Sequence, residues 1–590
     1  MKTKLAYGIL AASLVAIPAY GEGEEGEGQE TQTPERMTAT VVAGGTKTYT
    51  NADDWDLKEV PNGDHVDVVI DNNPEVNTTV NFNKEASNYT CGVLRIDAGD
   101  KLNIGTGYSE GGTTLKLTGT CVTNHGEIAF GGVKRNSQHY YLDVRLAPSY
   151  NGPTGKINIT NPNYKGCKHA LTWLLEGSVN DGQISISCSG NDQHAASLNL
   201  MGGGTFTNNG LIHLMVSGGY TGKNPNGSNL TLQDAASTIT GTGTVWLECP
   251  DRTEDCACNP VLKFAGWDKL FIHDSEHTVK GEGIVDNATI INHGLFKSEG
   301  AVRSLDLRMQ YYRSAITVGE TKLAMTNMPN GRIVAASPKG VYLSNNSRPN
   351  WNTRFINLGL LEARTGSKIS FAGGVNTTSG KTGDSDLNDY DGAYLELWGR
   401  VAGGGEFVTR RRIYIADGAK LMPGDLANTD GTGESTCGTI TFPRLVLRGP
   451  AAIADSEETT SGAITEFQCR KPVAGKYDSV WVNGDATVAG TLKFLENPSS
   501  GTYPIFTSTG TLTCDLKTLK VECSQGVKAP KLKLVESTYP VTEEVGVVDG
   551  EGNPVMDAET GLQVTETKTV DYPCQRIEAT WMNGFTITLR

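Results

Sequence analysis

Beyond its first two dozen residues, the 590-residue chain has no run of 18 consecutive apolar residues, the minimum for a helix that crosses a membrane. Positive charge is scarce: 51 Lys and Arg stand against 66 Asp and Glu, a formal net charge of −15. That balance argues against nucleic acid as a partner, because phosphate binding needs clustered cations. The one basic run, Arg410, Arg411 and Arg412, reads as a solvated strand edge. Aromatic residues make up only 7% of the chain, and its eight tryptophans are scattered rather than paired as sugar platforms. Apolar stripes of 3.6-residue period are missing, which excludes a helical fold. Paired Cys-x-x-Cys units are missing too, which argues against structural zinc. No cofactor motif is present.

What the chain has in quantity is glycine, 71 residues, without the Gly-X-Y period of a collagen. Short β-branched runs separated by glycine turns predict an all-β protein. The N-terminus has the layout of a secretory leader over residues 1–21: Lys2 and Lys4, an apolar run, then Ala19 and Gly21 before a plausible cut. Residues 22–36 hold six glutamates against Arg36, and read as an acidic tether too polar to bury a core. The mature protein is therefore expected to be exported, at the cell surface, outside the cell or in a periplasm, with no transmembrane segment.

Export permits disulfides, and the cysteine count of twelve is even. Cys249, Cys256 and Cys258 share one polar loop, and Cys514 and Cys523 form a second near pair. These five are the disulfide candidates, with the connectivity open. Cys91, Cys121, Cys167 and Cys188 could join neighbouring turns of the fold, and Cys469 and Cys574 could staple the C-terminal part.

A recurring turn carries the fold assignment. Asn124 and Gly126, Asn208 and Gly210, Asn292 and Gly294, and Asn357 and Gly359 each follow one short β run and precede another. The first three glycines stand 84 residues apart, and the fourth follows after 65. Asn-x-Gly could close a hairpin. Long-interval self-similarity instead favours a parallel solenoid, with positive φ at the turns and four coils of roughly 21 residues per 84. Leu94, Ile96, Leu102, Ile104, Leu115 and Leu117 alternate with polar residues and should point inward, with Gly99 and Gly105 at corners. The expectation is a right-handed parallel β-helix over 37–441, opened by the segment around Trp55. A C-terminal β-rich cap over 442–590 should cover its end.

The segments "ITGTGTVWLE" (239–248), "VKGEGIVDNATIINHGLF" (279–296), "IADGAKLMPGD" (415–425) and "YDSVWVNGDATVAGTLKF" (477–494) resemble the passenger-type parallel β-helices of bacterial autotransporters with autotransporter-associated repeats. The resemblance spans most of residues 90–515 and bears on fold more than on function. It implies a surface role and a C-terminal segment that caps and nucleates the helix. The chain departs from the family pattern in showing no run of alternating strands for a membrane barrel, which implies another export route or periplasmic residence.

Two constellations invite chemistry. "HDSEH" (His273 to His277) reads as a solvated polar turn. "DSDLNDYDG" (384–392) resembles a calcium loop but places Asp389 where glycine is required and Leu395 where the bidentate glutamate belongs. No coil shows a concentrated charged strip. The functional expectation is a non-catalytic scaffold or adhesin-like module meeting surface glycans or other cell-surface proteins. The alternative is a polysaccharide lyase or glycoside hydrolase, which would need carboxylates or a cationic base on one face of adjacent coils.

Overall fold

A computed structural model describes residues 34–582, apart from 43, 71–74, 83–87, 106–113, 131–138, 162–167, 190–194, 218–226, 235, 251–258, 266–268, 310–316, 319–320, 323, 346–352, 373–374, 377–393, 428–435, 452–458, 549–553 and 557–562. The leader, most of the acidic tether, Cys167, Cys256, Cys258 and the 384–392 segment lie outside the described residues.

Strands of two to about ten residues stack in parallel on three faces. One face runs without interruption from Gly45–Thr48 through Lys101–Ile104, Gln183–Ser189 and Thr278–Gly281 to Lys520–Cys523. The chain is a parallel β-helix, as the turn pattern predicted. Alternation sorts each strand: in Lys101–Ile104, Leu102 and Ile104 point in, and in Thr114–Gly119 Leu115 and Leu117 do so. All six residues expected to face inward are fully buried. The pairings are parallel at every Asn-x-Gly turn, which removes the hairpin alternative.

The coil length differs from the sequence expectation. Asn124 donates from Nδ2 to Asn151 Oδ1 at 2.7 Å, 27 residues on. Asn151 donates likewise to Asn180, 29 residues on, and Asn180 to Asn208, 28 residues on. The interval of 84 thus holds three coils, not four. Asn180 and Gly182 have the same Asn-x-Gly spacing, one coil before Asn208, whereas Asn151 is followed by Gly152 and Gly155 instead.

The ladder continues through histidine. Asn208 Nδ2 lies 3.0 Å from His277 Nε2, His277 Nδ1 3.0 Å from His273 Nε2, and His273 Nδ1 2.8 Å from Asn292 Oδ1. Asn292 then donates to Asn327 Oδ1 and Asn327 to Asn357 Oδ1, at 2.8 and 2.7 Å. Every side chain in this series is fully buried. "HDSEH" is therefore no solvated turn: its two imidazoles stand where the ladder has no asparagine. The amide N–H groups all point toward the C-terminal coil, so each imidazole carries its proton on Nδ1 and accepts at Nε2. Neither ring can be protonated without setting two donors against each other.

The turn glycines are fixed by crowding. None of Gly126, Gly210, Gly294 or Gly359 has positive φ, contrary to expectation. A Cβ on Gly210 would strike the backbone carbonyl of Gly182 in the coil before, and one on Gly359 that of Gly331. Gly99 and Gly105 do take positive φ, at 93° and 83°.

Both ends are closed by aromatic residues. Tyr49 packs edge-on against Trp55, Phe82 and Tyr89, with ring centroids 5.0–5.7 Å apart. Parallel coils continue past Phe442 to Lys520–Cys523, so the change of pattern near 442 is not the end of the helix. The closing element is an antiparallel hairpin of Lys531–Gly546 and Thr565–Trp581, whose second strand also pairs with Gly501–Ser508. Its Trp581 ring meets Phe494 and Tyr503.

The expected staples are not joined. Cys91, Cys121, Cys469, Cys514, Cys523 and Cys574 are free thiols. Cys514 ends a strand that pairs with Ala486–Val488 and Cys523 one that pairs with Thr491–Phe494, so the two lie on different faces. Both pack against the apolar core.

Burial holds His273 down at about 4, against 6.5 for a free imidazole, and lowers His277 as well. Unfolded histidine takes up a proton below about pH 6.5 while the buried rings stay neutral. Their stabilising contribution is therefore complete above pH 6.5 and is lost as pH falls toward 4. Urea unfolding at pH 4.5 should show a loss of at least about 2 kcal/mol relative to pH 7, the share of His273 alone, with His277 adding to it. Equal stability at the two pH values would contradict a neutral, buried pair.

Candidate functional site

The outward positions of one face converge on a cavity of about 430 Å³. In Leu305–Met309, Leu305, Leu307 and Met309 fill the core, so alternation turns Asp306 and Arg308 outward. Parallel register sets Asp306 between Ile284 and Tyr342, and Tyr342 next to Ser370. One column over, Asp286 pairs with Arg308 and Arg308 with Ser344. Arg303 and Lys339, in the turns before two of these strands, and Lys368, the first residue of a third, complete the rim.

Four cations, Arg303, Arg308, Lys339 and Lys368, thus face one lining carboxylate, Asp306. Two of the cations are held in place. Arg308 Nε donates to Asp306 Oδ2 at 2.7 Å, and Ser344 Oγ donates to the other oxygen at 2.6 Å. Arg303 Nη1 donates to Oδ1 of the buried Asn259 at 3.2 Å. The backbone N–H groups of Val302 and Arg303 donate to Oε2 of the buried Glu282, at 3.1 and 2.9 Å, which fixes the turn. Burial raises the Asp286 carboxyl from its ordinary value, with Arg308 and Lys263 pulling the other way.

Glycine brings the coils together here. Gly340 takes φ +69°, and a Cβ on it would strike the Lys368 backbone. The Lys339–Gly340 turn is thereby carried against the Lys368 backbone of the neighbouring coil. On the floor, a Cβ at Gly283 would stand 2.7 Å from the Pro260 carbonyl oxygen.

Other surface clusters are already satisfied. Trp246 stacks on His213 at 4.4 Å and lies under the Lys280 ammonium at 5.1 Å, and those two side chains occupy the ring. The Arg448 guanidinium sits 4.2 Å over Tyr414 and bonds Glu396. Among the described residues, no group of three or more His, Cys, Asp or Glu side chains could hold a metal ion.

The residues singled out from sequence lie elsewhere. The four Asn-x-Gly turns build the internal ladder and do not line this cavity. Cys249 is buried at the end of Thr244–Glu248, and its loop partners Cys256 and Cys258 are outside the described residues. The charged strip was missed because coils of 21 residues align the wrong positions. Only the strand pairing itself brings "LDLRM", "VYLSN" and "KISF" into register, with Leu305 opposite Val341 and Val341 opposite Ile369, and makes the strip visible. The sequence matches no family model and no curated protein.

Gly340→Ala combines an unfavourable φ with a backbone collision and should cost about 2–3 kcal/mol in denaturant unfolding. A loss below about 0.5 kcal/mol would mean that the Lys339 turn is not locked against the Lys368 coil.

Proposed function

We propose that the protein is an exported, non-catalytic β-solenoid that serves as a cell-surface scaffold or adhesin-like binding module. The leader-like N-terminus and the resemblance to autotransporter passengers support the address. The observation that carries the binding role is the cavity: four cations from adjacent coils, two of them held by hydrogen bonds, opposite a single lining carboxylate. Such a surface is preorganised, so little ordering is lost when a ligand docks.

Hydrolysis of a glycosidic bond requires two carboxylates flanking it, one protonating the leaving oxygen. Asp306 is committed to Arg308 and Ser344. Asp286, with its raised proton affinity beside Arg308, is the one feature that favours the second reading, a carbohydrate-active enzyme.

The two readings separate in one experiment. The full chain is incubated with acidic and neutral polysaccharides, and both retention on immobilised glycan and release of new chain ends are followed. The scaffold reading expects retention with no new ends. Release of ends by the wild type, abolished in Asp286→Asn, would overturn it in favour of the enzyme.

A further inference from the structure

The geometry points to an acidic saccharide, one carrying carboxylate or sulfate groups on successive rings, as the ligand of the cationic cavity. This rests on the binding-module reading and names its ligand class. Three features of the cavity choose among anions.

Size comes first. About 430 Å³ falls within the range of small-ligand sites, roughly 300–1,000 Å³, and is far larger than a single inorganic anion needs. Distribution of charge comes second. The cations do not converge on one point, as they would around a lone phosphate. Arg303 and Arg308 belong to one coil, Lys339 to the next and Lys368 to the one after. Successive coils stand roughly 4.8 Å apart, so the positive charges are spread along the helix axis over about 10 Å. A linear ligand with one negative charge per ring can meet several of them at once; a single anion cannot.

The third feature is the polar and aromatic lining. Tyr342 is 37% exposed and lies in the same column as Ser370, giving a ring face and two hydroxyls beside the lysines. Sugar rings present apolar faces and peripheral hydroxyls, the complement of that wall. Arg308 retains 37% of its side-chain exposure although it bonds Asp306, so its remaining N–H groups can meet a carboxylate or sulfate. The chain's overall negative charge opposes a long polyanion elsewhere on its surface, which confines such a ligand to this face.

The test uses the full chain and measures binding of oligosaccharides of matched length: an oligogalacturonate, a chondroitin sulfate fragment and a neutral cello-oligosaccharide. Sodium sulfate and a single-stranded oligonucleotide are run alongside. The variants are Lys339→Glu, Lys368→Glu and their double, with Lys520→Glu on another face as the charge control. Unfolding curves establish that each variant is folded.

At least one of the two acidic oligosaccharides should bind, and binding should weaken as salt rises. The double variant should lose at least about tenfold in affinity while Lys520→Glu stays within about twofold. The proposal is overturned if the neutral oligosaccharide binds as well as the acidic ones, or if the double variant binds like the wild type. It is also overturned if sulfate alone matches the oligosaccharides, or if the oligonucleotide binds more tightly than either. Release of new chain ends during the assay would sink the non-catalytic reading and leave the ligand class standing. Failure of both acidic oligosaccharides to bind would sink the ligand class and leave the scaffold reading standing.

Discussion

A single file of buried amide and imidazole groups runs through the solenoid from Asn124 to Asn357, and the coil geometry depends on it. Each asparagine side chain is removed from water, and Asn124, Asn151, Asn180, Asn292 and Asn327 each donate to an asparagine in the next coil at 2.7 or 2.8 Å. An unpaired amide in the core costs about 1–3 kcal/mol, so slipping one coil against its neighbour is penalised at every rung. The apolar interior alone cannot set that register, since Leu, Ile and Val tolerate displacement along the stack. Glycine adds a steric lock beside the ladder, because the turns at Gly182, Gly210, Gly331 and Gly359 leave no space for a Cβ between coils. Where the asparagine series lapses between Asn208 and Asn292, His273 and His277 span the gap and preserve the direction of donation.

The class of fold was legible because alternation and glycine punctuation are local signals, and local signals survive irregular loops. Leu102 and Ile104 announce an inward-facing strand whatever the coil length. The coil length was legible at one point: Asn180-Asp181-Gly182 repeats the Asn-x-Gly spacing 28 residues before Asn208. Asn151 is followed by Gly152 and Gly155, which hides the coil between Asn124 and Asn180. Reading a solvated turn at His273–His277 failed for a related reason: two histidines and two carboxylates look hydrophilic until the neighbouring coils supply their partners. The positive φ assigned to the turn glycines was a second misattribution. Those residues are glycine because another coil's carbonyl lies against them, and that contact is invisible in one dimension.

The cationic cavity shows how a solenoid makes a site from residues that no motif joins. Arg303, Arg308, Lys339 and Lys368 are ordinary surface choices in their own strands and turns, and only stacking places them on one rim. Rigidity there is inherited from the fold: Asp306 and Ser344 hold Arg308, while Glu282 and Asn259 hold the Arg303 turn. The closing hairpin at Lys531–Trp581 matters for the same reason. It covers the last coil with antiparallel pairing and removes an exposed edge that would otherwise recruit other chains.

Unfolding of Asn180→Ala in urea tests the ladder most directly. The substitution leaves one Asn151 amide N–H and the Asn208 carbonyl oxygen buried without their ladder partners, while removing little apolar contact. The expected loss is about 2–4 kcal/mol, with the dependence on urea unchanged because the surface exposed on unfolding is the same. A loss below about 0.5 kcal/mol would contradict the account, and the register of the coils would then have to come from the apolar core and the glycine contacts alone.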